Sequence, residues 1–368
     1  MNTFGNIFRL TSFGESHGPM IGGVIDGCPS GLYIDRPRVQ EVLNLRRPGQ
    51  SRLTTTRSES DRVEFISGIK GDYTTGAPIA FLIPNRDANS QDYAEIAEVY
   101  RPGHADYTYH YKYGGYADIA GGGRSSARET AVRCVGGAVA SMLLDRVGVE
   151  ITAFVSQVGE ICLDAAQFGA LQEMPLSEIR RLTYQVPSRC PFVSVGTAIE
   201  VAIERVREAK DSLGGVVSCI ARGVPLGWGE PMYGKLESML ASAMMSIQAS
   251  RGFEIGDGFA LVAMLGSESN DCFHLDALGE PALTSNHGGG VLGGISSGGA
   301  LCCRVAFKPT PTIACRQQTV GRDGRETMFQ AKGRHDPCVA IRAVPVVEAM
   351  AAMVLADAYL MSKASSHL

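Results

Sequence analysis

Short stretches of alternating or continuous apolar residues recur along the chain and predict β-strands. Turns rich in glycine, proline and aspartate separate them, as is typical of short connections between strands. The predicted strands cover residues 4–11, 21–25, 63–69, 77–83, 151–158, 216–222, 258–265 and 301–307. Several neighbouring pairs are close enough in sequence to form hairpins, which favours antiparallel sheets.

Apolar residues spaced three or four positions apart predict helices between these strands. The helices cover residues 36–45, 129–147, 164–182, 197–210, 235–247 and 344–361, and the last is apolar on nearly every face, so we expect it to be buried. Gly136 and Gly137 interrupt the second helix, and their cost in helix stability suggests close packing against another element or subunit. Two strands often precede one helix, so the order predicts an α+β fold with largely antiparallel sheets in a single domain, residues 1–368.

The composition is that of a globular protein with a large core, since 45% of the 368 residues are hydrophobic and 20% are charged. A net charge of -4 argues against a general nucleic-acid-binding protein and against a basic membrane-binding surface. Ten cysteines occur without a Cys-x-x-Cys pair, and we expect them to be reduced and buried. The first ten residues lack the pattern of a signal peptide, and no uncharged apolar run has transmembrane length. We therefore expect a cytoplasmic protein.

The most unusual polar segment is residues 121–128, Gly-Gly-Gly-Arg-Ser-Ser-Ala-Arg, directly before the predicted helix at 129. Glycines let the backbone approach a ligand closely, and N–H groups at the start of a helix favour an anion. The guanidinium groups of Arg124 and Arg128 add paired donors for phosphate or carboxylate. The segment predicts an anion site, although a glycine-rich turn capped by serines explains the same residues without a ligand.

Two histidines lie in constrained loops and are candidates for proton transfer near neutral pH. His17 lies in the turn Gly14–Gly18 after a predicted strand, and His104 follows the rigid turn Arg101–Gly103. A lone loop histidine such as His17 is more often a solvated loop residue, whereas the rigid turn would hold His104 in place. The tyrosines that follow His104 could stack on a planar ligand or pack their loop against the protein.

Arginines gather near these loops and suit a small polyanionic substrate whose leaving group must be protonated. They are Arg46, Arg47, Arg52, Arg101, Arg124, Arg128 and Arg334. This positive field would lower the pKa of a nearby carboxylate, which keeps Asp336 ionised and available as a base. A metal site made of His17, His104 and Asp336 is an alternative, but the surrounding arginines would repel a cation.

Motifs of three common enzyme classes are absent from the sequence. There is no Gly-x-Ser-x-Gly elbow of an α/β-hydrolase and no Gly-x-x-x-x-Gly-Lys-[Ser/Thr] phosphate loop. The glycine-rich segments at 121–123 and 288–294 do not fit a dinucleotide-binding fingerprint after a strand. The anion site would therefore belong to a different kind of enzyme.

Three stretches of the chain resemble signature sequences of the chorismate synthases. They are residues 14–18 continuing to Asp26 and Gly27, residues 123–130 (Gly-Arg-Ser-Ser-Ala-Arg-Glu-Thr), and residues 334–338 (Arg-His-Asp-Pro-Cys) through Glu348. Residues 101–106 and the glycine-rich loop 286–298 also match, so the resemblance runs from about residue 5 to residue 360. Cys134 stands where a branched apolar residue is more usual, which is a change of similar volume.

The resemblance implies a β-α-β sandwich and a specific reaction. A 1,4-anti elimination would remove phosphate and a ring hydrogen from 5-enolpyruvylshikimate 3-phosphate to give chorismate. Reduced FMN would be required although no net oxidation or reduction occurs. His17 would protonate the departing phosphate, His104 would act on the reduced flavin, and Asp336 would assist proton removal through the flavin N5.

The resemblance also implies which residues bind the two ligands and how the protein assembles. The substrate's phosphate and carboxylates would be held by Ser16, Arg46, Arg47, Arg52, Arg101, Arg128 and Arg334. The FMN would be lined by Arg124, Ser125, Ser126, Gln248, Ala249, Gly293, Lys308, Pro309, Thr310, Pro311, Thr312 and Arg334. The family forms homotetramers, which would give Gly136 and Gly137 an interface role. Bifunctional members reduce their own flavin with NADPH, but no insertion here favours that activity, so we expect an external reductant.

Overall fold

The computed structural model describes residues 1–51, 53–54, 60–86, 98–118, 120–331 and 336–365. Its strands are β1 (Thr3–Phe4), β2 (Arg9–Phe13), β3 (Met20–Asp26), β4 (Glu64–Phe65), β5 (Ile69–Lys70), β6 (Tyr73–Thr74), β7 (Ile79–Pro84), β8 (Glu150–Val158), β9 (Ile161–Cys162), β10 (Gly215–Arg222), β11 (Ser250–Ile255), β12 (Phe273–Leu275), β13 (Pro281–Leu283), β14 (Val291–Leu292), β15 (Ile295–Ser296), β16 (Leu301–Phe307), β17 (Gln317–Val320) and β18 (Glu326–Phe329). Its α-helices are α1 (Arg36–Arg46), α2 (Asp106–Tyr113), α3 (Thr130–Asp145), α4 (Ala165–Glu173), α5 (Leu176–Gln185), α6 (Val193–Glu208), α7 (Leu236–Met245), α8 (Gly266–Ser269) and α9 (Ala340–Ser365). Short 3-10 helices cover Ala120–Ser125, Ala127–Glu129 and Gly258–Ala263.

In this described part of the chain, ten strands form two five-stranded sheets in which every neighbouring pair is antiparallel. The first sheet has the order β1-β2-β3-β7-β4 and the second has the order β11-β16-β10-β8-β9. Leu10 lies opposite Ile25 in the first sheet, and Cys219 lies between Ala153 and Cys303 in the second. These side chains are buried, so each sheet turns an apolar face towards the helices.

Helices α3 and α9 pack against each other between the two sheets. Helix α3 contacts β2 and β3 of the first sheet and also β8, and α9 contacts β8 and β10 of the second sheet, so the layers run from sheet through helices to sheet. The predicted α+β class with antiparallel sheets, and the β-α-β sandwich implied by the resemblance, are confirmed.

Gly136 and Gly137 allow the two central helices to approach closely. A Cβ atom at Gly137 would lie 2.3 Å from the Cα atom of Ala349 on α9, and one at Gly136 would lie 2.9 Å from Sδ of Met353. Both glycines are buried inside the chain. The interface role suggested for them is therefore wrong, and the expectation of close packing against another element is correct.

Helix α9 forms the centre of the core. Among the described residues it is the one helix long and apolar enough to span a membrane, and 83% of its most apolar window is buried inside the protein. Asp357 on this helix accepts hydrogen bonds from the backbone N–H groups of Ile7 and Phe8 at 2.7 and 3.0 Å, which ties the start of the chain to the core. Packing therefore accounts for the apolar residues on all its faces, as predicted.

Four predicted elements differ from the structure. The predicted strand at 258–265 is a 3-10 helix, and the strand at this edge, β11, precedes it. Phe259 and Val262 are 78% and 85% exposed, so this apolar run is not part of a sheet face. Gly256 and Gly258 have φ angles of 55° and 53°, which end the extended backbone after β11.

The predicted helix at 164–182 is two helices, α4 and α5. Pro175 separates them, and the residue before it, Met174, is extended because a proline disfavours helical geometry in its predecessor. The predicted strands at 4–11 and 63–69 are each divided as well, into β1 with β2 and into β4 with β5.

All ten cysteines are free thiols, and six of them are buried, namely Cys28, Cys134, Cys190, Cys219, Cys303 and Cys338. Burial raises the pKa of the Cys134 thiol to about 12, so its thiolate is negligible at neutral pH. Cys162 and Cys272 are exposed, and the expectation that all ten are buried is wrong for these two.

Candidate functional site

Residues 121–123 form a tight turn ahead of helix α3. Their φ angles are 59°, 89° and 50°, a left-handed conformation that glycine adopts without strain. Ser126 then caps the short helix Ala127–Glu129 by accepting a hydrogen bond from Arg128 N at 3.3 Å, and α3 begins at Thr130. The glycines therefore precede α3, as predicted, and the short helix Ala127–Glu129 separates them from it. They build a turn against the histidine loops.

Both predicted catalytic histidines lie against this glycine turn. A Cβ atom at Gly121 would lie 2.0 Å from Cε1 of His17 and 2.9 Å from Oγ of Ser16. A Cβ atom at Gly122 would lie 3.6 Å from Nε2 of His104. Only glycine fits beside His17, and the two imidazoles flank consecutive residues of one turn.

The second signature is bound to the first through its polar side chains. Ser126 Oγ donates to Ser16 Oγ at 3.2 Å. Arg124 Nη2 donates to the hydroxyl and carbonyl oxygens of Ser12 at 3.0 and 3.2 Å, and its Nη1 donates to Gly14 O at 3.3 Å. Arg124 therefore anchors the glycine turn on strand β2 and the loop that follows it.

Arg101 and His104 share the buried carboxylate of Asp106. The carboxylate accepts hydrogen bonds from Nε and Nη2 of Arg101, both at 2.7 Å, and its Oδ1 lies 2.7 Å from Nδ1 of His104. Burial alone would raise the pKa of Asp106, but hydrogen bonds from Arg101 and His104 hold it well below its usual range. Sequence reasoning gave this aspartate no role, although it lies two residues after His104 in the matching segment 101–106.

Arg46 and Arg128 converge on a second buried carboxylate, Asp61. Arg46 Nη1 donates to Oδ2 at 3.0 Å, and Arg128 Nη1 binds Oδ1. Asp61 is fully buried; burial alone would raise its pKa, but the charges and hydrogen bonds of the two guanidiniums hold it below its usual value. Burial and the nearby charge of Arg342 lower the pKa of Arg46 to about 10, so Arg46 stays charged at neutral pH.

This pairing changes the environment of two arginines predicted to bind substrate. Arg46 and Arg128 are 2% and 5% exposed, and an anion already lies between them. Arg46 also donates to Thr130 Oγ1 at 3.0 Å and to Ala127 O at 2.7 Å. The sequence near Asp61 does not indicate that it neutralises these arginines. Its partners Arg46 and Arg128 are distant in sequence and come close only in the folded chain.

Asn85 joins the arginine pair to the His17 loop. Its Oδ1 accepts a hydrogen bond from Arg128 Nε at 2.8 Å, and its Nδ2 donates to the carbonyl oxygens of Glu15 and Gly18 at 3.1 and 2.8 Å. Asn85 thus holds both ends of the turn that carries His17, and sequence reasoning missed it.

Arg342 joins the arginine pair to Asp336. Its Nη1 donates to Asp336 Oδ2 at 2.5 Å, and its Nε donates to Arg46 O at 3.3 Å. The third signature therefore reaches the same polar region from helix α9. Arg47 is exposed at the end of α1, while Arg52 and Arg334 lie outside the described residues.

Two segments predicted to line the cofactor meet beside the His104 turn. Ala249 O accepts a hydrogen bond from Lys308 N at 3.0 Å, and Lys308 Nζ donates to Gly103 O at 2.6 Å. A Cβ atom at Gly103 would lie 3.1 Å from Cβ of Pro311. Burial and the charge of Arg251 lower the pKa of Lys308, so this region is positive and favours an anion.

Two of the residues predicted to contact the cofactor carry buried polar atoms that the protein leaves unsatisfied. Within the described part of the chain, Gln248 Oε1 and Thr310 Oγ1 have no hydrogen-bond partner. Buried polar atoms are nearly always paired, so such an atom points to a group that the protein itself does not supply. Both atoms fit a ligand that offers hydrogen bonds at this place.

A cavity of about 370 Å³ opens next to these segments. Its lining includes Arg124, Glu129, Gln248 and Tyr109, and its volume lies within the usual range of ligand pockets, about 300–1,000 Å³. Glu129 accepts hydrogen bonds from Ser12 and Arg133 at 2.8 Å, and Gln248 Nε2 donates to it at 3.3 Å. Of the tyrosines that follow His104, Tyr109 and the partly exposed Tyr113 line this cavity, whereas Tyr107, Tyr111 and Tyr116 are exposed outside its lining.

Gly293 lies apart from the other predicted residues. It belongs to the turn between β14 and β15, where Gly294 O accepts a hydrogen bond from Leu236 N at 2.8 Å. Leu236 begins helix α7, and Gln248 follows its end. A helix of 10 residues spans about 15 Å, so Gly293 and Gln248 lie at opposite ends of α7.

In the described ranges, no group of three or more His, Cys, Asp and Glu side chains is arranged to hold a metal ion. Asp336, one member of the alternative metal site, is paired with Arg342. The described site is therefore a cluster of histidines, buried carboxylate–arginine pairs and glycine turns.

The chain is similar to known proteins over nearly its whole length. The family model described as chorismate synthase matches residues 8–360. The chorismate synthase of Porphyromonas gingivalis is 54% identical over 363 residues, which cover 99% of this chain and 96% of that protein. The chorismate synthase of Bacteroides fragilis is 51% identical over 362 residues and 98% of each chain. A crystal structure of a chorismate synthase superimposes with a TM-score of 0.78 at 30% identity, covering 97% of this chain and 93% of that one.

Proposed function

The chain belongs to the chorismate synthase family, and on that premise we propose that the loops at 14–18, 101–106 and 121–128 form its active site. Its reaction is the 1,4-anti elimination of phosphate and a ring hydrogen from 5-enolpyruvylshikimate 3-phosphate, which gives chorismate for the synthesis of aromatic amino acids. The enzyme is a carbon–oxygen lyase, and its family implies a flavin cofactor. We take this flavin to be reduced FMN.

The observation that carries the site assignment is the convergence of His17 and His104 on the glycine turn. A general acid must come within hydrogen-bond reach of the group that it protonates. Because the two imidazoles flank Gly121 and Gly122, both can face one substrate in the space beside the turn. In this assignment His17 protonates the departing phosphate and His104 acts at the cofactor side.

The substrate carries one phosphate and two carboxylates, which require several cationic donors. Arg101 and the exposed Arg47 provide guanidiniums, and Ser16 adds a hydroxyl beside His17. Arg46 and Arg128 add positive charge, which Asp61 partly neutralises. This charge favours the bound anion, and in this assignment Asp336 assists removal of the ring proton.

The residues near the His104 turn fit the flavin. Gln248 and Thr310 offer unsatisfied buried oxygens, Ser125 and Ser126 offer hydroxyls, and Lys308 offers a cation for the FMN phosphate. When bound, the reduced flavin supplies the electron-rich partner that the elimination requires without net oxidation or reduction. Gly293 would reach this ligand only from the far end of α7, and no described contact brings it closer.

An anaerobic assay of chorismate formation tests this assignment. We expect turnover with reduced FMN, none without it, and no loss in the presence of a chelator. A flavin-free phosphate lyase would turn over without FMN, a metal-dependent enzyme would lose activity with chelator, and a binding module would never release phosphate.

His17→Ala and His104→Ala should each slow turnover at least about tenfold, because general acid–base catalysis typically contributes about 10²–10⁴-fold to a rate. His274→Ala, at an exposed histidine in strand β12, is the matched control and should leave turnover unchanged. A near-normal rate in either site variant, with the fold intact, would remove that histidine from the mechanism.

A further inference from the structure

The carboxylate of Asp106 is placed where it can determine the state of His104. Asp106 is the first residue of helix α2, two positions after His104, and its side chain is 3% exposed. Its Oδ1 faces both His104 Nδ1 and Arg101 Nη2 at 2.7 Å, and its Oδ2 accepts from Arg101 N and Nε at 3.1 and 2.7 Å. Both oxygens are therefore acceptors in a buried cluster.

This arrangement allows only one tautomer of a neutral His104. An ionised carboxylate has no proton to donate, so an unprotonated Nδ1 would place two lone pairs 2.7 Å apart. Arg101 Nη2 lies 3.0 Å from Nδ1 and has a second N–H, but donation of that N–H to an unprotonated Nδ1 would leave the 2.7 Å contact between Nδ1 and Oδ1 repulsive. Nδ1 must carry the proton, which leaves Nε2 as the ring nitrogen that faces Gly122.

We propose that Asp106 is a positioning residue for the elimination: it fixes His104 with Nδ1 protonated, so that Nε2 is the atom presented to the ligands. The proposal rests on the role of His104 proposed above. Asp106 acts through two partners, because the same carboxylate orients Arg101. Loss of the histidine's orientation should lower kcat, whereas loss of the arginine's orientation should raise KM.

Asp106→Asn replaces the carboxylate by an amide of the same shape. Its NH₂ group would face either Arg101 N and Nε, which are two donors, or Arg101 Nη2 and His104 Nδ1. If Nδ1 is unprotonated, the amide NH₂ in the second orientation faces only one donor, Arg101 Nη2, and can itself donate to Nδ1. The variant should therefore reverse the tautomer of His104.

The tautomer is measured directly by magic-angle-spinning NMR of full-length protein labelled with ¹⁵N at its seven histidines. The resonances of His104 are those that disappear in His104→Ala. At a pH where the ring is neutral, we expect a protonated Nδ1 in the wild type and a protonated Nε2 in Asp106→Asn. Since the wild-type spectrum alone tests the tautomer, the proposal stays falsifiable if the variant does not fold. A protonated Nε2 in the wild type would overturn it.

Turnover in the FMN-containing enzyme supplies the second readout. Asp106→Asn should lower kcat about tenfold or more, as loss of an orienting carboxylate does for other catalytic histidines. In the His104→Ala background the same change should have no further effect on kcat. An equal effect in both backgrounds would show that Asp106 acts only through the fold or through Arg101, and would overturn the proposal.

Asp257→Asn is the matched control, because Asp257 Oδ2 lies 2.6 Å from Nδ1 of His287 in a second histidine–aspartate pair. It should change the resonances of His287 and leave kcat unchanged. The tautomer measured by NMR and the value of kcat also distinguish the proposed role of His104 from the proposed role of Asp106. If the tautomer reverses in Asp106→Asn but kcat does not change, the assumed role of His104 is wrong; if the wild-type tautomer is the opposite, the role of Asp106 is wrong.

Discussion

Replacing Gly137 by alanine tests the helix packing on which the layered fold depends. The added Cβ atom would lie 2.3 Å from the Cα and Cβ atoms of Ala349 on α9 and 2.8 Å from its carbonyl oxygen. Non-bonded carbon atoms attract at about 3.5–4.0 Å, so the two helices must separate by roughly 1.2 Å at this point. Because two of the three obstructing atoms belong to the backbone, no side-chain rotation relieves the clash.

The cost follows from the size of this displacement. A radial gap of about 0.5–1 Å already loses a quarter to a half of the dispersion energy between facing atoms. Overpacking of a core costs about 1–3 kcal/mol. We take the upper value, about 3 kcal/mol, because the clash is with helix backbone, which must move. Alanine returns about 1 kcal/mol through its higher helix propensity. We therefore expect Gly137→Ala to lower the free energy of unfolding by about 2 kcal/mol, the difference between these two terms.

Urea unfolding followed by circular dichroism measures the effect against two glycine controls. At Gly136 the new Cβ atom would meet Sδ of Met353 at 2.9 Å and Cδ2 of Leu10 at 3.0 Å, which are mobile side-chain ends, so Gly136→Ala should cost less. Gly169 lies exposed within α4 and has nothing within 4 Å of a Cβ atom, so Gly169→Ala should stabilise the protein by about 0.5–1 kcal/mol. If Gly137→Ala were as stable as the wild type, or less affected than Gly136→Ala, the reasoning would be refuted.

Two further predictions concern the buried carboxylate of Asp61. Arg128→Ala should raise the dissociation constant of the substrate more than that of FMN, because it removes a positive charge and leaves Asp61 paired with Arg46 alone; calorimetric titration with each ligand measures this, and the reverse order would place Arg128 at the cofactor. Asp61→Asn should cost about 3–5 kcal/mol at pH 7, because it leaves two buried guanidiniums without an anion. Since the folded-state pKa of Asp61 lies below its usual value near 4, the stability that it contributes is present above about pH 4 and is lost as the pH falls below it. Urea unfolding between pH 7 and 3 should therefore show a weaker loss at low pH in the variant than in the wild type, and equal slopes would contradict the assignment.

Local patterns predicted most of the regular elements. The helix expected at 36–45 is Arg36–Arg46, because Asp35 accepts a hydrogen bond from Arg38 N and Pro37 suits the first turn. The strand expected at 301–307 has those same limits, since alternate side chains are buried along it. The error at 258–265 arose because an apolar run predicts burial, whereas Phe259 and Val262 remain exposed.

The sequence predicted which loops form the site, but not which side chains within it contact each other. The histidines, Ser16 and the glycine turn are recognisable because unusual residues are adjacent in sequence. Asp61 and Asn85 were missed, because each is a common polar residue whose partners come from distant segments. Asp106 was quoted within its motif, but only the geometry shows that it holds Arg101 and His104 together.

Residue order and motif spacing suffice for the class of fold, the family and the loops that carry chemistry, because these depend on neighbours a few positions apart. Which charges neutralise each other depends on tertiary structure. Asp61 lies 15 residues from Arg46 and 67 from Arg128, and packing of α1, α3 and the first sheet brings the three together. A buried carboxylate is stable only beside such cations, so the pairing is fixed by burial and by Coulomb attraction, neither of which has a period along the chain. The partner of Gly136 and Gly137 also depends on tertiary structure. The sequence suggested a subunit interface, whereas both glycines pack against α9 of their own chain.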